Sequence, residues 1–518
     1  MSHFPEVAFP VLVPLFFGIV CLIFRKHIRL QQSFAIISMI GTLGIAAGLF
    51  YKVYAGSQIL VLNLGNWSPP FGIVFVADLL SMSMVVSASI IGFVVSIYSI
   101  SNIDRKRQEN YYFAFFNFLI AGVNGAFLTG DIFNLYVFFE VMLMASYALI
   151  TLGSERSQLE ESIKYMVLNL VASAFFVAGV GILYGIVGTL NMADIANKIE
   201  QLNTLKGFNS GLLLIVSMIF LTVFGTKGGI FPLYYWLPGS YVAPPASVSA
   251  VFGGLLTKVG VYCLLRTNSL IFYRVENITG FNYLNIILVV IGGFTMLLGV
   301  FGAIVQYNFK KILSHHIISQ VGYMIWGIGM ATVSAIAGTI LHIIHNIFVK
   351  TALFLIGGIH EKLTGTNDLK KTGGLANAVP AVSILFMIAA LALAGVPPLS
   401  GFFSKYVILK AGFDEFSSGA NRYLMVFIIV GLITSLLTLF SMIKIWIFGF
   451  WGESKTAIRT NDKSYKALIP SVLILVILAI CMGIFAETFY SIAITTAKQL
   501  KDPTNYYIKA VLQHQMPR

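Results

Sequence analysis

Long apolar segments dominate the chain and limit what it can fold into. A helix of about twenty apolar residues can cross a bilayer, and about fourteen such runs are present by this criterion. They lie near residues 5–24, 30–51, 77–100, 111–129, 131–152, 161–187, 209–232, 241–266, 283–306, 309–331, 333–360, 379–410, 421–448 and 466–489. Charged residues make up 10% of the chain, against roughly 25% in soluble domains. The sequence therefore predicts an all-α polytopic membrane protein in a lipid bilayer.

Basic residues collect in the loops on one side of this alternating topology. They are Arg25, Lys26, Arg29, Arg105, Lys106, Arg107, Lys310, Lys311, Lys362, Lys370, Lys371, Lys455, Arg459, Lys463 and Lys466. The positive-inside rule places such loops in the cytoplasm, so we expect both termini on the outer side of a bacterial cell membrane. The same clustering explains the net charge of +13 without a nucleic-acid partner, because no basic run exceeds a few residues.

The stretch from Val223 to Arg266 holds two charges in apolar surroundings. Lys227 and Lys258 lie in its two apolar halves, and prolines and glycines separate them. An ammonium at membrane depth costs roughly 3 kcal/mol or more, so it is rarely present there without a function. Proline removes a helix donor and clashes with the preceding turn. We therefore expect span seven to break just after Lys227, beside an ion pathway.

A second interrupted segment lies in span twelve. Pro397 and Pro398 interrupt an apolar run just before Lys405. Interrupted spans in corresponding places indicate an inverted-repeat transporter, here with broken helices 7 and 12 in two repeats of five helices. Lys227 and Lys405 would then be equivalent. The predicted domains are helices 1–3 (1–108), the first repeat of helices 4–8 (109–270), the second repeat of helices 9–13 (280–450), and helix 14 with the tail (451–518).

Glu140 lies at the centre of span five, where Lys227 is its available basic partner. An ionised carboxylate beside a lysine holds the lysine's proton, whereas loss of hydration favours the neutral amine. A lysine under both influences can exchange its proton near neutral pH. The alternative is a protonated Glu140 that only hydrogen-bonds a neighbouring helix.

Lys258 and Lys350 have no acidic neighbour in their own spans. A buried neutral lysine can relay a proton, and the alternative is that each side chain extends to the membrane surface. His342 and His345 are three residues apart and share a helix face. With Lys350 further along the same span, the pair favours a relay through His345 over a packed core histidine. No metal site is expected, because no carboxylate inside that span accompanies the two imidazoles.

Further candidates are less specific. His316, at the start of span ten, is an additional relay candidate. Asp78 opens span three and is either a relay residue or a helix N-cap near the interface. Cys21, Cys263 and Cys481 lie far apart, in neither metal-ligand nor disulfide spacing. No cysteine cluster, haem motif or nucleotide fold is present, so no cofactor is expected.

Four stretches resemble a known family. They are FFEVMLMASYALI, FGTKGGIFPLYYWLP, APPASVSAVFGGLLTKVGVYCLLR and NFKKILSHHIISQVGYM. Over residues 75–450 the chain is similar to the proton-translocating antiporter-like family. That family includes the large membrane subunits of respiratory complex I, of membrane hydrogenases and of the multisubunit Mrp sodium/proton antiporters. Within it, the chain looks most like the D-type subunits of bacterial Mrp antiporters.

The resemblance implies a proton pathway near the membrane midplane. Glu140 matches the family's span-five glutamate, Lys227 its paired span-seven lysine, and Lys258 its span-eight lysine. His345 matches a relay histidine of span eleven, and Lys405 matches the terminal residue of span twelve.

Two positions depart from parts of the family. Gln320 stands where some members have a histidine, so the resemblance supplies no relay residue there. Lys405 is glutamate in the most similar complex I subunit and lysine in other members, which favours the antiporter type.

The implied function is a proton-translocating subunit of a multisubunit Na⁺/H⁺ antiporter. Such a protein is a secondary transporter rather than an enzyme, and it assembles with membrane subunits of the A, B, C, E, F and G types. The alternative is a proton-pumping membrane subunit of complex I or of a membrane hydrogenase. The buried ionisable groups are mostly lysines, which repel cations, so we expect this chain to move protons while Na⁺ passes through a partner or an interface.

Overall fold

The computed structural model describes residues 4–204, 211–272, 283–419, 421–460 and 463–512. Its main helices are α1 (Pro5–Ile23), α2 (Ile28–Gly56), α3 (Leu79–Asn102), α4 (Tyr112–Leu128), α5 (Ile132–Thr151), α6 (Arg156–Val187), α7 (Gly211–Gly228), α8 (Ala246–Phe272), α9 (Tyr283–Val305), α10 (Phe309–Met330), α11 (Val333–Thr364), α12 (Pro380–Ala394), α13 (Ser400–Ser417), α14 (Leu424–Phe450), α15 (Ser464–Ile484) and α16 (Ala486–Lys501). Shorter helical segments are Leu64–Asn66, Arg105–Glu109, Met192–Thr204, Leu237–Ser240, Leu369–Lys371, Leu375–Ala378, Thr504–Ile508 and Lys509–Leu512.

The predicted fold class is confirmed, since the protein is an all-α, multi-pass membrane protein. In the described chain, 11 helices are long and apolar enough to cross a membrane, and α4 and α12 are shorter apolar helices. Each predicted apolar run coincides with a helix, except that the run at 379–410 is divided between α12 and α13.

Strands and loops meet at one end of the helices, which we call the hairpin face. Strands β1 (Leu60–Asn63) and β2 (Val74–Ala77) form an antiparallel pair there. The loop after α4 joins this pair, because Gly130 N–H donates to the carbonyl oxygen of Val74 at 2.8 Å. The C-terminal segment after α16 also reaches this face, where its last helix packs against β1.

The opposite end carries the basic loops, and we call it the loop face. Arg25, after α1, donates to the carbonyl oxygen of Glu109, before α4, at 3.1 Å. Asn308 and Asp368 pair in an isolated β-bridge between the loops that precede α10 and follow α11. The loops between successive helices are thus fastened to one another at both faces.

Burial separates central helices from peripheral ones. Every residue in the most apolar 18-residue window of α8 is buried, as are 94% in α11, against 33% in α2 and α14. A helix that is buried on all sides can hold polar side chains away from lipid. Lys258 of α8 and the polar residues His342, His345 and Lys350 of α11 lie in the protein interior in this way.

The two predicted helix breaks are confirmed. Helix α7 ends at Gly228, and the chain turns through residues 229–236 before the short helix Leu237–Ser240. Helix α12 ends at Ala394, and α13 begins at Ser400. The chain reaches the first break from the hairpin face and the second from the loop face. This opposite approach agrees with inverted repeats, while the four-domain division remains a prediction.

Candidate functional site

Lys227 lies in the last turn of α7, directly before the break. Its side chain is buried, and its ammonium contacts Ser173 Oγ of α6 at 3.4 Å. The ammonium also lies 4.8 Å from the centre of the Phe139 ring of α5. Beyond the break, Trp236 donates its indole N–H to the carbonyl oxygen of Thr226 at 3.0 Å. Backbone groups released at membrane depth need such internal partners, so this bond supports the interrupted helix.

Glu140 follows Phe139 on α5 without pairing with Lys227. Both residues are described, and no ion pair links them; Glu140 Oε1 is buried without a hydrogen-bond partner. The ammonium of Lys227 is instead directed to Ser173 and the ring of Phe139. The structure thus shows no direct ion pair between the two side chains, and one carboxylate oxygen of Glu140 has no partner in the described chain.

Lys258 follows a π-helical turn, Phe252–Leu256, inside α8. Its ammonium donates to the carbonyl oxygen of Gly253 at 2.5 Å. A π turn interrupts the regular helical hydrogen bonds, and such turns are frequent at functional sites. Among the described residues no carboxylate forms an ion pair with Lys258, so a backbone dipole is its polar partner. Extension to the membrane surface is excluded, because the side chain is only 1% exposed.

Close backbone contacts join α7, α8 and α11 beside these lysines. A Cβ atom on Gly260 of α8 would lie 2.6 Å from the backbone nitrogen of Gly228 at the end of α7. A Cβ atom on Gly254 would lie 2.2 Å from Thr351 Oγ1 of α11. Both distances are too short for a side chain, so glycine permits the three helices to meet in this layer.

His342 and His345 of α11 connect that helix to α13. The Nδ1 atom of His342 hydrogen-bonds Ser404 Oγ at 3.0 Å, and that of His345 hydrogen-bonds Ser400 Oγ at 2.8 Å. The two rings are stacked, with centres 5.7 Å apart. Each Nε2 atom is buried and has no hydrogen-bond partner in the described chain. Each imidazole therefore has one fixed nitrogen and one that is free to exchange a proton.

Two further relay candidates, Lys350 and His316, and the family position Gln320 lie on α11 and α10. The ammonium of Lys350 lies 3.5 Å from the carbonyl oxygen of Leu313. His316 Nε2 hydrogen-bonds Ser441 Oγ of α14. Gln320, one turn after His316, has both amide atoms buried and without a partner in the described chain. A glutamine can donate and accept at once, so this position retains capacity for polar contacts although it cannot titrate.

Lys405 lies on α13 and binds the end of α12. Its ammonium donates to the carbonyl oxygens of Leu393 at 2.9 Å and Ala394 at 3.0 Å. It also lies 5.2 Å from the centre of the Tyr323 ring. The last carbonyls of a helix carry partial negative charge. Lys405 is thus held by two helix-end carbonyls rather than by a carboxylate.

The equivalence of Lys227 and Lys405 stays a prediction, although the two residues lie on opposite sides of their breaks. Lys227 comes five residues before Pro232, whereas Lys405 comes seven residues after Pro398. The ammonium of Lys405 binds the carbonyl oxygen of Leu393, in the helix before the break. Each break thus has a lysine ammonium beside it, from the preceding helix at the first break and from the following helix at the second.

Asp78 has the predicted N-cap role and also an ionic partner. Its Oδ1 atom accepts the backbone N–H of Ser81 at 2.8 Å, at the start of α3. Arg266 of α8 donates to both carboxylate oxygens, at 2.6 and 2.8 Å. A relay role for Asp78 remains a prediction. Within the described residues, no group of three His, Cys, Asp or Glu side chains is placed to hold a metal ion.

Comparison with protein-family models gives one match that covers these side chains. The model described as NADH:quinone oxidoreductase/Mrp antiporter, transmembrane, matches residues 129–438. This is more than half of the chain, and it contains every relay candidate except Asp78. The chain belongs to this family. The family resemblance of the four sequence stretches is therefore confirmed.

Full-length relatives extend the similarity beyond the family model. The chain is 48% identical to the D-type subunit of the Na⁺/H⁺ antiporter of Alkalihalophilus pseudofirmus, over 98% of this chain and 99% of the relative. It is 41% identical to the protein of the same description from Bacillus subtilis, over 99% of this chain and 100% of the relative. A chain in a solved structure of the Mrp complex from Dietzia matches with a TM-score of 0.87 and 28% identity, covering 99% of this chain and 100% of that chain.

The partners of the buried family residues were missed by the sequence reasoning. Ser173, Ser400, Ser404 and Ser441 each hydrogen-bond a buried lysine or histidine. The sequence signal that could have indicated these partners is a serine within an apolar span. That signal is ambiguous, because serine in a helix also bonds its own backbone.

Lys444, near the end of α14, is a further buried lysine with backbone partners. Its ammonium donates to the carbonyl oxygens of Ile304 at 2.5 Å and Gln306 at 2.6 Å, at the end of α9. Like Lys405, it binds the carbonyl end of a neighbouring helix. This second instance shows that a lysine in this fold can have a structural role.

Proposed function

We propose that this chain is a proton-translocating membrane subunit of a multisubunit Na⁺/H⁺ antiporter. One observation carries the proposal: buried lysines and histidines on α7, α8, α11 and α13 are held by hydroxyls, backbone carbonyls and an aromatic ring. No ion pair fixes the charge of Lys227, Lys258 or Lys405 in the described chain. Burial without a counter-ion favours the neutral amine, so such lysines can take up and release protons.

The proposed relay runs laterally through the protein. It leads from Glu140 and Lys227 through Lys258 and His345 to Lys405, with His342, Lys350, His316 and Asp78 as additional members. The glycine contacts between α7, α8 and α11 support this order, because they place successive helices in direct contact. The bond between His345 and Ser400 supports the final step toward α13.

Water access is proposed at the two helix breaks. Irregular backbone at membrane depth must face protein or water. We infer that residues 229–238 line a half-channel toward the loop face and that residues 395–401 line one toward the hairpin face. The basic residues favour a cytoplasmic loop face, which places both termini outside the cytoplasm.

The sodium route is proposed to lie outside the lysine layer. Lysines repel cations, and a sodium site needs several oxygen ligands. Na⁺ is then carried by other membrane subunits or at an interface with them. The full-length relatives are described as antiporter subunits, which favours a secondary transporter over a pump subunit of a redox enzyme.

The test is Na⁺-driven proton flux in inverted membrane vesicles that contain the complete complex. Lys258→Ala is expected to abolish flux while the complex still purifies intact. Lys410→Ala is the matched control, because Lys410 is an exposed lysine on α13. Full flux in Lys258→Ala would overturn the proposed relay.

A further inference from the structure

We propose that the Asp78–Arg266 ion pair is the gate between Lys258 and the hairpin face. The proposal rests on the proton-translocating function and gives Asp78, one of its additional relay candidates, a partner and a specific role. Helix α8 carries Lys258, Tyr262 and Arg266 at intervals of four residues, so the three side chains share one helix face. At 1.5 Å per residue, Arg266 lies about 12 Å along the helix from Lys258, toward the hairpin face.

Hydrogen bonds make Tyr262 the middle member of this row. Its hydroxyl donates to the carbonyl oxygen of Phe127 on α4 at 2.6 Å. The same oxygen accepts from Arg266, from Nη2 at 3.2 Å and from Nε at 3.4 Å. Arg266 in turn holds both oxygens of Asp78. One guanidinium thus links the hydroxyl of Tyr262 with a carboxylate at the start of α3.

The C-terminal segment covers this pair at the hairpin face. The Tyr507 ring centre lies 5.1 Å from the guanidinium carbon, and the Tyr262 ring centre lies 5.5 Å from it. Arg266 is 3% exposed and Asp78 is 5% exposed. The segment that holds Tyr507 packs against the helix Met192–Thr204. The ion pair is therefore enclosed between α8, α3 and the C-terminal segment.

Stability alone does not explain a buried pair of this kind. Removing two charges from water is costly, and an apolar replacement of such a pair is often equally stable. Arg266 also cannot serve as a relay, because a guanidinium does not release its proton in a protein. It can, however, hold Tyr262 and block the row while Asp78 is ionised. A proton that binds Asp78 from the hairpin face removes the counter-charge and frees the guanidinium to move.

The first experiment compares two buried N-cap aspartates at the hairpin face. Asp78→Asn keeps the N-cap, because asparagine caps helices as well as aspartate, but it removes the charge. Asp131→Asn is the matched control: Asp131 caps α5 through Asn134 N–H at 2.8 Å and pairs with no arginine in the described chain. Asparagine resembles the protonated carboxyl group, so the gate stays open in this variant and proton movement is no longer coupled to Na⁺. We therefore expect Asp78→Asn to lose roughly tenfold or more of Na⁺-driven proton flux, with the complex intact and Asp131→Asn unchanged. Parental flux in Asp78→Asn overturns the gate.

A double variant separates a gate from a structural pair. Asp78→Asn with Arg266→Gln removes both charges and leaves no buried cation uncompensated. A gate predicts an assembled complex that still lacks Na⁺-driven flux, whereas restored flux shows a structural pair only. Lys258→Ala is measured in parallel. If it keeps its flux, the proposed function fails; if it loses flux while Asp78→Asn keeps it, the gate alone fails.

A variant that keeps both charges of the ion pair tests the gate if the charge variants do not assemble. Tyr262→Phe retains the ring and the ion pair but removes the linking hydroxyl. Tyr98→Phe is its control, because the buried Tyr98 hydroxyl likewise donates to a backbone carbonyl oxygen, that of Leu355, at 2.8 Å. The gate predicts lost flux in Tyr262→Phe and parental flux in Tyr98→Phe. Equal flux in both overturns it.

Discussion

The two broken helices hold a lysine in different ways. At the first break, Lys227 comes from the helix before the interruption, and one serine hydroxyl at 3.4 Å and one aromatic ring hold it. At the second, Lys405 comes from the helix after the interruption, and two carbonyls at 2.9 and 3.0 Å hold it. Weak partners leave the first ammonium free to respond to Glu140, whereas the second completes a helix end. Lys227 and Lys405 lie near the two ends of the proposed relay, and the first is held more loosely than the second.

The largest loss of proton flux is expected for variants of Glu140, the proposed partner of Lys227. Glu140→Ala and Glu140→Gln should each lose roughly tenfold or more of the proton flux, because Lys227 then lacks the charge that favours its protonated form. Glu140→Asp should retain partial flux, since it keeps the charge at a longer reach. Flux is measured against pH, with assembly checked by purification. If Glu140→Gln transports like the parent while Glu140→Ala fails, the residue acts by packing or hydrogen bonding.

The second-largest effect is expected on stability, where substitutions of Lys405 and Lys227 should differ. Lys405→Met should lower the free energy of unfolding by about 1–3 kcal/mol, because two buried carbonyls lose their donor. Lys227→Met should cost less than about 1 kcal/mol, because it removes only one long hydrogen bond. Thermal unfolding of the detergent-solubilised complex measures both. Equal destabilisation would show that the two breaks hold their lysines alike.

Substitution of His345 should reduce proton flux less than substitution of Glu140. His345→Ala should reduce flux by about two- to fivefold, because a water molecule can bridge the polar groups around a missing imidazole. Flux assays on the variant and on His345→Gln measure the effect. Complete loss in both, with the complex intact, would show that the imidazole itself must carry the proton.

The smallest effect is expected at the hydroxyl that holds Lys227. Ser173→Ala should change flux by less than about twofold, because a hydrogen bond as long as 3.4 Å contributes little. Ser400→Ala should change it more, since Ser400 fixes the ring of His345 at 2.8 Å. The reverse order of effects would contradict the view that Lys227 is loosely held.

Apolar length and proline chemistry made much of the fold predictable. Each predicted run coincides with a helix, except the run at 379–410, which is divided between two. The breaks near Pro232 and Pro398 followed from the missing backbone donor and the ring clash. The charges inside spans pointed to Lys227 and Lys258, because an unpaired charge at membrane depth is costly. These effects are local, and a single sequence contains them.

Contacts between distant segments were not predictable in the same way. Asp78 and Arg266 are 188 residues apart, and nothing local to either residue indicates the other. Lys405 was matched to Lys227 by its closeness to a break, but its long side chain places the charge a helix turn or more from its own backbone. The π turn before Lys258 also has no clear sequence signal, because Gly253 and Gly254 suit an α-helical or a π-helical turn.

The central claim is that a buried lysine releases and regains a proton during transport. Lys258→Arg tests it most directly, because arginine keeps the charge and approximate length but does not release its proton in a protein. Na⁺-driven proton flux is measured in vesicles with the complex at parental abundance. The account predicts no flux in Lys258→Arg, whereas flux at the parental rate would show that a fixed charge suffices and would contradict the relay.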